Sequence, residues 1–329
     1  MMSSFPRLII VLVLMYVVMP CVSAQGKLLL PIRNSSKMWG YCDTDGVVVI
    51  PYIFKDAQPF ENGVAEVDNA DWLTRYIDEC GKIATRKEDL QSYIQPLLVS
   101  EKKDGVPQLI HRDGRVLEFP EFRYVYGHSA GCATGVTKDY RGAFSSEPLN
   151  ADSWKCFSSN TSFVWYDEQS KILSYMDKGI NVIRYQSAVG GDVRHLEKSV
   201  KKYDWSSACI NSRIQICIGD SDARNRRYGV VSDKGKEILL CEYDLVDIVS
   251  SYILAWKYGD ERKHSEVSFF DDVGLKKLSL MVDGDWWNKK IPSGEWYMFA
   301  MGGTNFWVGV QSKKKLHVEG DKVVVEQIQ

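Results

Sequence analysis

Trp39-Gly40-Tyr41-Cys42-Asp43-Thr44-Asp45-Gly46 runs into Val47-Val48-Val49-Ile50-Pro51, then through a polar stretch holding Ala57 and Phe60 to Gly63-Val64-Ala65-Glu66-Val67. In physical terms this is strand, tight turn, strand, looped return and strand. Asp45-Gly46 places a glycine where a two-residue hairpin turn needs a positive backbone dihedral, and the β-branched run Val47 to Ile50 suits a pleated, half-buried surface. Pro51 has no N–H to give and ends the ladder.

The same order recurs along the chain. Tyr76-Ile77-Asp78 precedes Gly81, Leu109-Ile110-His111 precedes Gly114, Tyr228-Gly229-Val230-Val231 precedes Gly235, and Phe269-Phe270-Asp271 precedes Gly274. Gly81 lies 35 residues after Gly46, Gly114 lies 33 after Gly81, and Gly274 lies 39 after Gly235. A degenerate copy with Ser170 in the glycine place follows Trp165-Tyr166-Asp167, and Phe306 to Leu316 has the outline of another. A second offset tests the period: Gly63 follows Gly46 by 17 residues, Gly131 follows Gly114 by 17, and an alanine stands two further on in both, at Ala65 and Ala133. Tyr243-Asp244 and Ile253 to Trp256 give the copy at Gly235 the same outline.

This pattern resembles the WG-repeat family, whose unit is similar to Trp-Gly-Phe-Ile-Asp, a Gly-Lys turn, an Ile-rich strand ending in Pro, then Tyr-Asp, Phe, Gly and Ala-Val. The match is close over 39–82, recognisable over 105–136 and 226–275, and faint elsewhere; Trp39-Gly40 is the one copy with the full Trp-Gly pair, and Tyr228-Gly229 is its nearest relative. The resemblance implies a structural repeat of exported and cell-envelope proteins, with no shared catalytic residues. Units of this length, each three or four short strands, cannot bury a face alone and must stack on their neighbours. The expected fold is therefore an all-β repeat of short antiparallel strands. A β-propeller of about seven degenerate blades removes exposed edges, whereas the alternative, an open β-solenoid, needs polar caps. Lys27 to Arg33 is placed to complete the last blade as a closing strand.

The chain divides on sequence into a signal peptide, residues 1–24, and a WG-like β-repeat domain, residues 25–329. Arg7 precedes the apolar run Leu8 to Met19, which is too short to span a bilayer, and Val22-Ser23-Ala24 offers small residues to a peptidase. Pro20 stands where a lipoprotein signal has a small residue before its cysteine, which argues against acylation of Cys21. The expected location is secreted or periplasmic, with no membrane span after cleavage. Arg7 is the leader's only charge, so 40 basic residues face 43 acidic ones in the remainder, a balance that gives nucleic acid no electrostatic hold. Lys201-Lys202 and Lys313 to Lys315 read as solvated turns. Beyond Cys21 stand seven cysteines, an odd number, so at least one is unpaired within the chain; none forms the CxxC spacing of a zinc site.

Gly127-His128-Ser129-Ala130-Gly131 matches the GxSxG nucleophile elbow, so a serine hydrolase built on Ser129 is the rival function. That chemistry needs a strand-to-helix turn, an oxyanion-hole donor and later acid and histidine partners. Cys132 to Tyr140 carries no helical apolar stripe, and Gly131 and Ala133 hold the repeat positions of Gly63 and Ala65, which makes the segment a loop of the repeat. Gly219-Asp220-Ser221 has the look of a second hydrolase block but lacks the later Asp-x-x-His, since Asp260 and His264 are one residue too far apart. Asp43 to Gly46 and Asp283-Gly284-Asp285 look like calcium-loop fragments without the acidic twelfth residue, and turn chemistry explains both. His111, His128, His195, His264 and His317 show no metal-ligand spacing. Trp286-Trp287, Trp296-Tyr297 and Phe306-Trp307 cluster near the C-terminus, where one ring of each pair is expected in the core and the other is free to stack on a ligand. Asn34 and Asn160 open N-glycosylation sequons. No catalytic, cofactor-binding or metal-ligating residue is assigned. The function read from sequence is a non-catalytic exported scaffold that binds an unidentified protein or glycan.

Overall fold

The computed structural model describes residues 27–61, 63–83, 98–158, 161–177, 183–189, 193–219, 225–259, 264–283, 292–301 and 304–328. They form eight small sheets in which neighbouring strands are consecutive in sequence. The first is Leu29–Arg33, Trp39–Asp43 and Val48–Phe54; the second, Asp56–Ala57, Val64–Asp68 and Thr74–Asp78; the third, Leu98–Lys103, Val106–His111 and Val116–Glu118. The fourth is Phe122–Gly127, Ala133–Thr137, Gly142–Ser145 and Lys155–Cys156; the fifth, Thr161–Asp167, Ile172–Asp177 and Ile183–Ser187. The sixth is Trp205–Ser206, Arg213–Ile218, Arg227–Ser232 and Glu237–Tyr243; the seventh, Leu245–Val249, Tyr252–Tyr258, His264–Phe270 and Lys276–Asp283. The eighth is Pro292–Ser293, Trp296–Met301, Thr304–Gly309, Lys314–Glu319 and Lys322–Gln327. One α-helix, Arg194–Val200, stands among the described residues, and it packs Leu196 and Val200 into an apolar cluster with Tyr185, Ile214 and Ile216. The all-β repeat of short antiparallel strands is what the chain forms. Eight sheets rather than about seven stand among the described residues, because four of them have only three strands and take up less chain than a four-stranded unit.

The signature pair Trp39-Gly40 and its relative Tyr228-Gly229 build the same hairpin residue for residue. In the first sheet Trp39 faces Phe54, Tyr41 faces Ile50 and Cys42 faces Val48, with a register shift in each interval. In the sixth, Tyr228 faces Tyr243, Val230 faces Leu239 and Val231 faces Glu237, with shifts at the same places. The burial pattern of Val48–Phe54 repeats over Glu237–Tyr243. The bulged partner strand explains the glycine: a Cβ on Gly40 would lie 2.5 Å from the Ile50 carbonyl oxygen, and one on Gly229 would lie 2.5 Å from that of Leu239. Only hydrogen fits in that space.

The repeated turn is also uniform, although it is not the two-residue type expected at Asp45-Gly46. Gly46 N–H donates to Asp43 O at 3.0 Å and Asp43 N–H donates to Val47 O at 2.9 Å, which closes a three-residue loop. Gly46 carries the positive dihedral, φ 82°, and Asp45 is not among the residues of positive φ, whereas a type I′ turn needs two such residues in succession. The loop is a type I turn ended by a left-handed residue, and it recurs with glycine at 81, 114, 235 and 274, at φ 74°, 89°, 76° and 87°. All five turns fall where the sequence places them. At Gly46, Gly114, Gly235 and Gly274 they join two strands of one sheet; at Gly81 the return pairs through the single bridge Ile77–Ile83. The stretch Glu88 to Leu98, whose pattern also fits a short helix, lies outside the described residues except for Leu98.

The chain divides into two compact units. The first contains residues up to 93 together with 304–306 and 316–325. Its strand Leu29–Arg33 pairs with Trp39–Asp43 in the first sheet and does not complete the last one. The short turn at Asn34 to Lys37, where Asn34 Oδ1 accepts from Met38 N–H at 2.9 Å and Lys37 takes φ 63°, folds the strand back on its nearest neighbour. The C-terminal pieces of this unit meet the same turn. Arg33 N–H donates to Asn305 Oδ1 at 3.1 Å, Ser35 N–H donates to Gly320 O at 3.2 Å, and Asn34 Nδ2 donates to Asp321 Oδ1 at 2.9 Å. The second unit contains 94–303, 307–315 and 326–329.

Candidate functional site

The second unit holds the GxSxG segment, and its backbone is that of the repeat turn. Gly127 ends one strand and Ala133 begins its antiparallel partner. His128 N–H donates to Cys132 O at 2.9 Å, Gly131 N–H donates to His128 O at 3.0 Å, and Gly131 takes φ 79°. Gly63 has φ 82° beside the strand that carries Ala65, and Ala65 and Ala133 are both buried. The 17-residue offset therefore pairs two glycines of positive φ and two buried alanines but not two identical turns, since Glu61 and Val64 exchange both backbone hydrogen bonds whereas His128 and Cys132 close a three-residue loop. In either case the strand-to-helix turn of a nucleophile elbow is replaced by a hairpin.

The side chains at this turn form a small polar group. Ser129 Oγ donates to Glu168 Oε2, and His128 Nδ1 lies 3.9 Å from Glu168 Oε1. His128 Nε2 lies 3.1 Å from Thr134 Oγ1, and its ring packs edge-on against Tyr166. Serine thus meets the carboxylate directly, while the imidazole turns to threonine. In a hydrolytic triad the imidazole bridges the other two. Burial pushes the His128 imidazole pKa down, against the opposing pull of Glu168.

Three cavities border this turn. The first, of about 530 Å³, is lined by Ala130 and Cys132 of the turn and by side chains of the fourth and fifth sheets. The second, of about 500 Å³, includes His128, Trp165, Glu168 and Asn211. The third, of about 340 Å³, includes Gly131, His111, Arg115 and Glu147.

The first cavity has the most differentiated lining. Phe144, Phe157, Tyr166 and Leu173 make its apolar wall, continuous with a buried cluster that contains Cys132 and Val164. Ser145, Ser146, Ser153, Gln186 and Ser187 supply hydroxyls and an amide, and Lys155 and Lys171 are its charged residues. Ser145 and Ser153 hydroxyls lie 2.5 Å apart and are held in place by the Glu147 and Asn150 backbone. Burial pushes the Cys132 thiol up to about 11, so it is protonated and unreactive, whereas Cys156 is an exposed free thiol.

Next to Glu168, Asp167 is a buried structural hub. Its carboxylate accepts from Asn211 N–H at 2.8 Å, Ser212 N–H at 2.9 Å, Ser170 N–H at 3.1 Å and the Ser170 hydroxyl at 2.5 Å. Burial acts to raise its pKa, but these donors outweigh it and hold the carboxyl below its ordinary value.

Other residues singled out by sequence are absorbed by structure. Asp43 Oδ1 accepts from Asp45 and Val47 N–H at 3.1 and 2.9 Å, and its Oδ2 pairs with Lys27 Nζ at 2.8 Å, so the turn uses this carboxylate. Among the described residues, no three His, Cys, Asp or Glu side chains are grouped to hold a metal. Trp296, Tyr297 and Trp307 are all buried, so the pair at 296–297 contributes both rings to the core rather than one. Among the described residues the large exposed rings are instead Trp72, Tyr126, Tyr140, Trp165 and Trp205. Six cysteines, Cys42, Cys132, Cys156, Cys209, Cys217 and Cys241, are free thiols. Asn34 is committed to the turn described above. Residues 1–24, Asn160, Asp220-Ser221, Gly284-Asp285 and Trp286-Trp287 lie outside the described residues. Sequence reasoning did not reach Thr134, Glu168, Lys155 or Lys171. They come from separate strands and turns with no spacing to reveal them, although Glu168 directly follows the degenerate Trp165-Tyr166-Asp167 copy.

Residues 39–69 match the family described as WG containing repeat. This segment is a WG repeat. The hairpin at Tyr228-Gly229 repeats its register, which extends the WG geometry to a copy that has lost the tryptophan. No curated protein sequence matches the chain. Similar solved structures include a eukaryotic initiation factor, at 12% identity over 94% of this chain and 90% of that one with a TM-score of 0.47. The β-propeller domain of the trilobed protease from Pyrococcus furiosus matches at 10% identity over 86% of this chain and 93% of that one, with a TM-score of 0.36. A prolyl endopeptidase matches at 10% identity over 82% of this chain and 48% of its own length, with a TM-score of 0.46. At these identities and TM-scores nothing about activity or ligand carries over to this chain.

Proposed function

We propose that this WG-repeat chain is an exported, non-catalytic binding protein whose ligand, a protein or a glycan, is taken by the fourth and fifth sheets. The observation that carries this reading is the 530 Å³ cavity, where an aromatic wall, hydroxyls and two lysines converge in the manner of a binding site. The rival reading, a serine hydrolase, draws on the contact of Ser129 with Glu168 beside His128. Against it stand the hairpin backbone and an imidazole aimed at Thr134 instead of Ser129.

A serine-reactive fluorophosphonate separates the two. The mature chain is expected to remain unlabelled, like its Ser129→Ala variant, while capturing a ligand on a glycan or protein array. Labelling that disappears in S129A establishes the hydrolase and ends the binding proposal. Export is supported by the leader's short apolar run and small-x-small ending at Val22-Ser23-Ala24. N-terminal sequencing of the exported protein should begin at Gln25 or its cyclised form, and intact Met1 in that fraction sinks the assignment.

A further inference from the structure

We infer that the 530 Å³ cavity takes an acidic saccharide, a sugar whose carboxylate pairs with Lys155 and Lys171 while its ring lies on the aromatic wall. The inference rests on the binding function proposed above and narrows its ligand. Three features of the lining carry it.

The first is charge. Lys155 and Lys171 line the cavity, no carboxylate does so among the described residues, and neither ammonium has an ion-pair partner there. Each lysine projects from an exposed position, one on the short edge strand Lys155–Cys156 and one at a turn where its own backbone takes φ 60°. A concave site with one sign of charge concentrates the opposite sign. The second is the wall. Phe144, Phe157 and Tyr166 are held by tilted ring contacts, Phe144 to Tyr166 at 5.2 Å and Phe157 to Tyr175 at 5.1 Å, so their faces are fixed before a ligand arrives. The third is the polar rim. Ser146, Gln186 and Ser187 have no hydrogen-bond partner for their side chains among the described residues, and they offer both donors and acceptors.

An aromatic or alkyl carboxylate satisfies the lysines and the wall but leaves the hydroxyls and amide unused. A neutral sugar satisfies the wall and rim but leaves two cations without a counter-charge. A uronic-acid sugar meets all three demands. The cavity volume falls within the range of small-ligand sites.

Titration calorimetry of the mature chain with trigalacturonic acid, galactotriose and phenylacetate at low salt tests this. Trigalacturonate is expected to bind at least tenfold tighter than galactotriose, and phenylacetate weakly. The double variant Lys155→Gln, Lys171→Gln should lose roughly tenfold in trigalacturonate affinity, as expected for two exposed ion pairs of up to about 0.7 kcal/mol each. Both positions are exposed, and an unchanged circular dichroism spectrum controls for the fold. Trigalacturonate should also slow maleimide labelling at Cys156, read by peptide mass spectrometry, because that thiol lines the same cavity. Equal affinity for the neutral trimer, preference for phenylacetate, no binding of the acidic trimer, or a double variant that binds as well as the parent each overturns the inference. A chain that fails here but captures another ligand on an array keeps its binding function. One labelled at Ser129 by fluorophosphonate loses both.

Discussion

Asp43, Asp78 and Asp271 occupy the same place in the repeat and do the same work, each accepting the N–H groups two and four residues on. Asp167 stands at the equivalent place in the degenerate copy, but within its turn it accepts from Ser170, three residues on, and its carboxylate reaches further to Asn211 and Ser212, a consecutive pair with φ 50° and 60°. Two non-glycine residues in that region are strained, and a buried anion that accepts both their N–H groups offsets the cost. The first role was legible as Asp-x-x-Gly; the second was not, because its partners lie 44 and 45 residues away. Asp167→Ala should therefore cost about 3 kcal/mol, well beyond the roughly 1 kcal/mol expected of Asp271→Ala, with urea midpoints as the measurement. Equal losses would mean that Asp167 caps its own turn and nothing more.

His128 gives a pH test at the same scale. Its native pKa is depressed, chiefly by burial. The unfolded chain, with an imidazole pKa of about 6.5, binds the proton more readily than the native state. This contribution to stability is therefore full above about pH 6.5 and is lost as pH falls below that value toward the native pKa. Replacing His128 with Gln should flatten the stability curve between about pH 7 and pH 5. An unchanged slope would show that other groups carry it.

At the scale of elements, the turns and strand order were readable because each hairpin is local: a glycine of positive φ, a capping side chain and alternating apolar residues lie within about ten positions. What was misjudged is the turn type, since Asp-Gly is compatible with two- and three-residue loops and the choice depends on the bulged partner strand. The bulge also sets how badly each glycine tolerates a side chain. Gly114 at φ 89° has open space around it, so Gly114→Ala bears only the left-handed backbone penalty, about 1–2 kcal/mol. Gly229 has an ordinary φ, but its Cβ would meet backbone at 2.5 to 2.9 Å from Leu239, Leu240 and Cys241. Gly229→Ala must then force two strands apart, which costs about 3 kcal/mol. Thermal unfolding should rank Gly229→Ala below Gly114→Ala; the reverse order would remove steric approach as the reason for the WG glycine. The candidate site was less legible than the turns for a related reason: it is assembled from side chains of two sheets, in short stretches around Ala130, Ser145, Lys155, Lys171 and Ser187 that lie far apart in sequence.

At the scale of the whole molecule, periodicity announced repetition but could not say which sheet the ends of the chain would join. Leu29–Arg33 was expected in the last sheet and lies in the first, because a turn at Asn34 to Lys37 brings it directly onto Trp39–Asp43. The unit it helps to build nevertheless depends on residues some 270 to 290 positions later. Asn305, 4% exposed, accepts from Arg33 N–H and donates to Pro31 O at 3.4 Å, and the Val325 side chain lies 2.7 Å from where a Cβ on Gly46 would stand. Deleting residues 316–329 removes the Gly320 and Asp321 partners of Ser35 and Asn34 and uncovers the Gly46 turn, while every strand of the first three sheets remains present in the chain. Native-state hydrogen exchange should then show the amides of Trp39–Asp43 and Val48–Phe54 losing protection by more than tenfold, about 1.4 kcal/mol in local opening. The equivalent hairpin of the second unit, Arg227–Ser232 with Glu237–Tyr243, has the same register and none of these C-terminal contacts, so it supplies the internal control. If the truncated chain protects both hairpins alike, residues 316–325 are an appendage of the first unit and not part of its core.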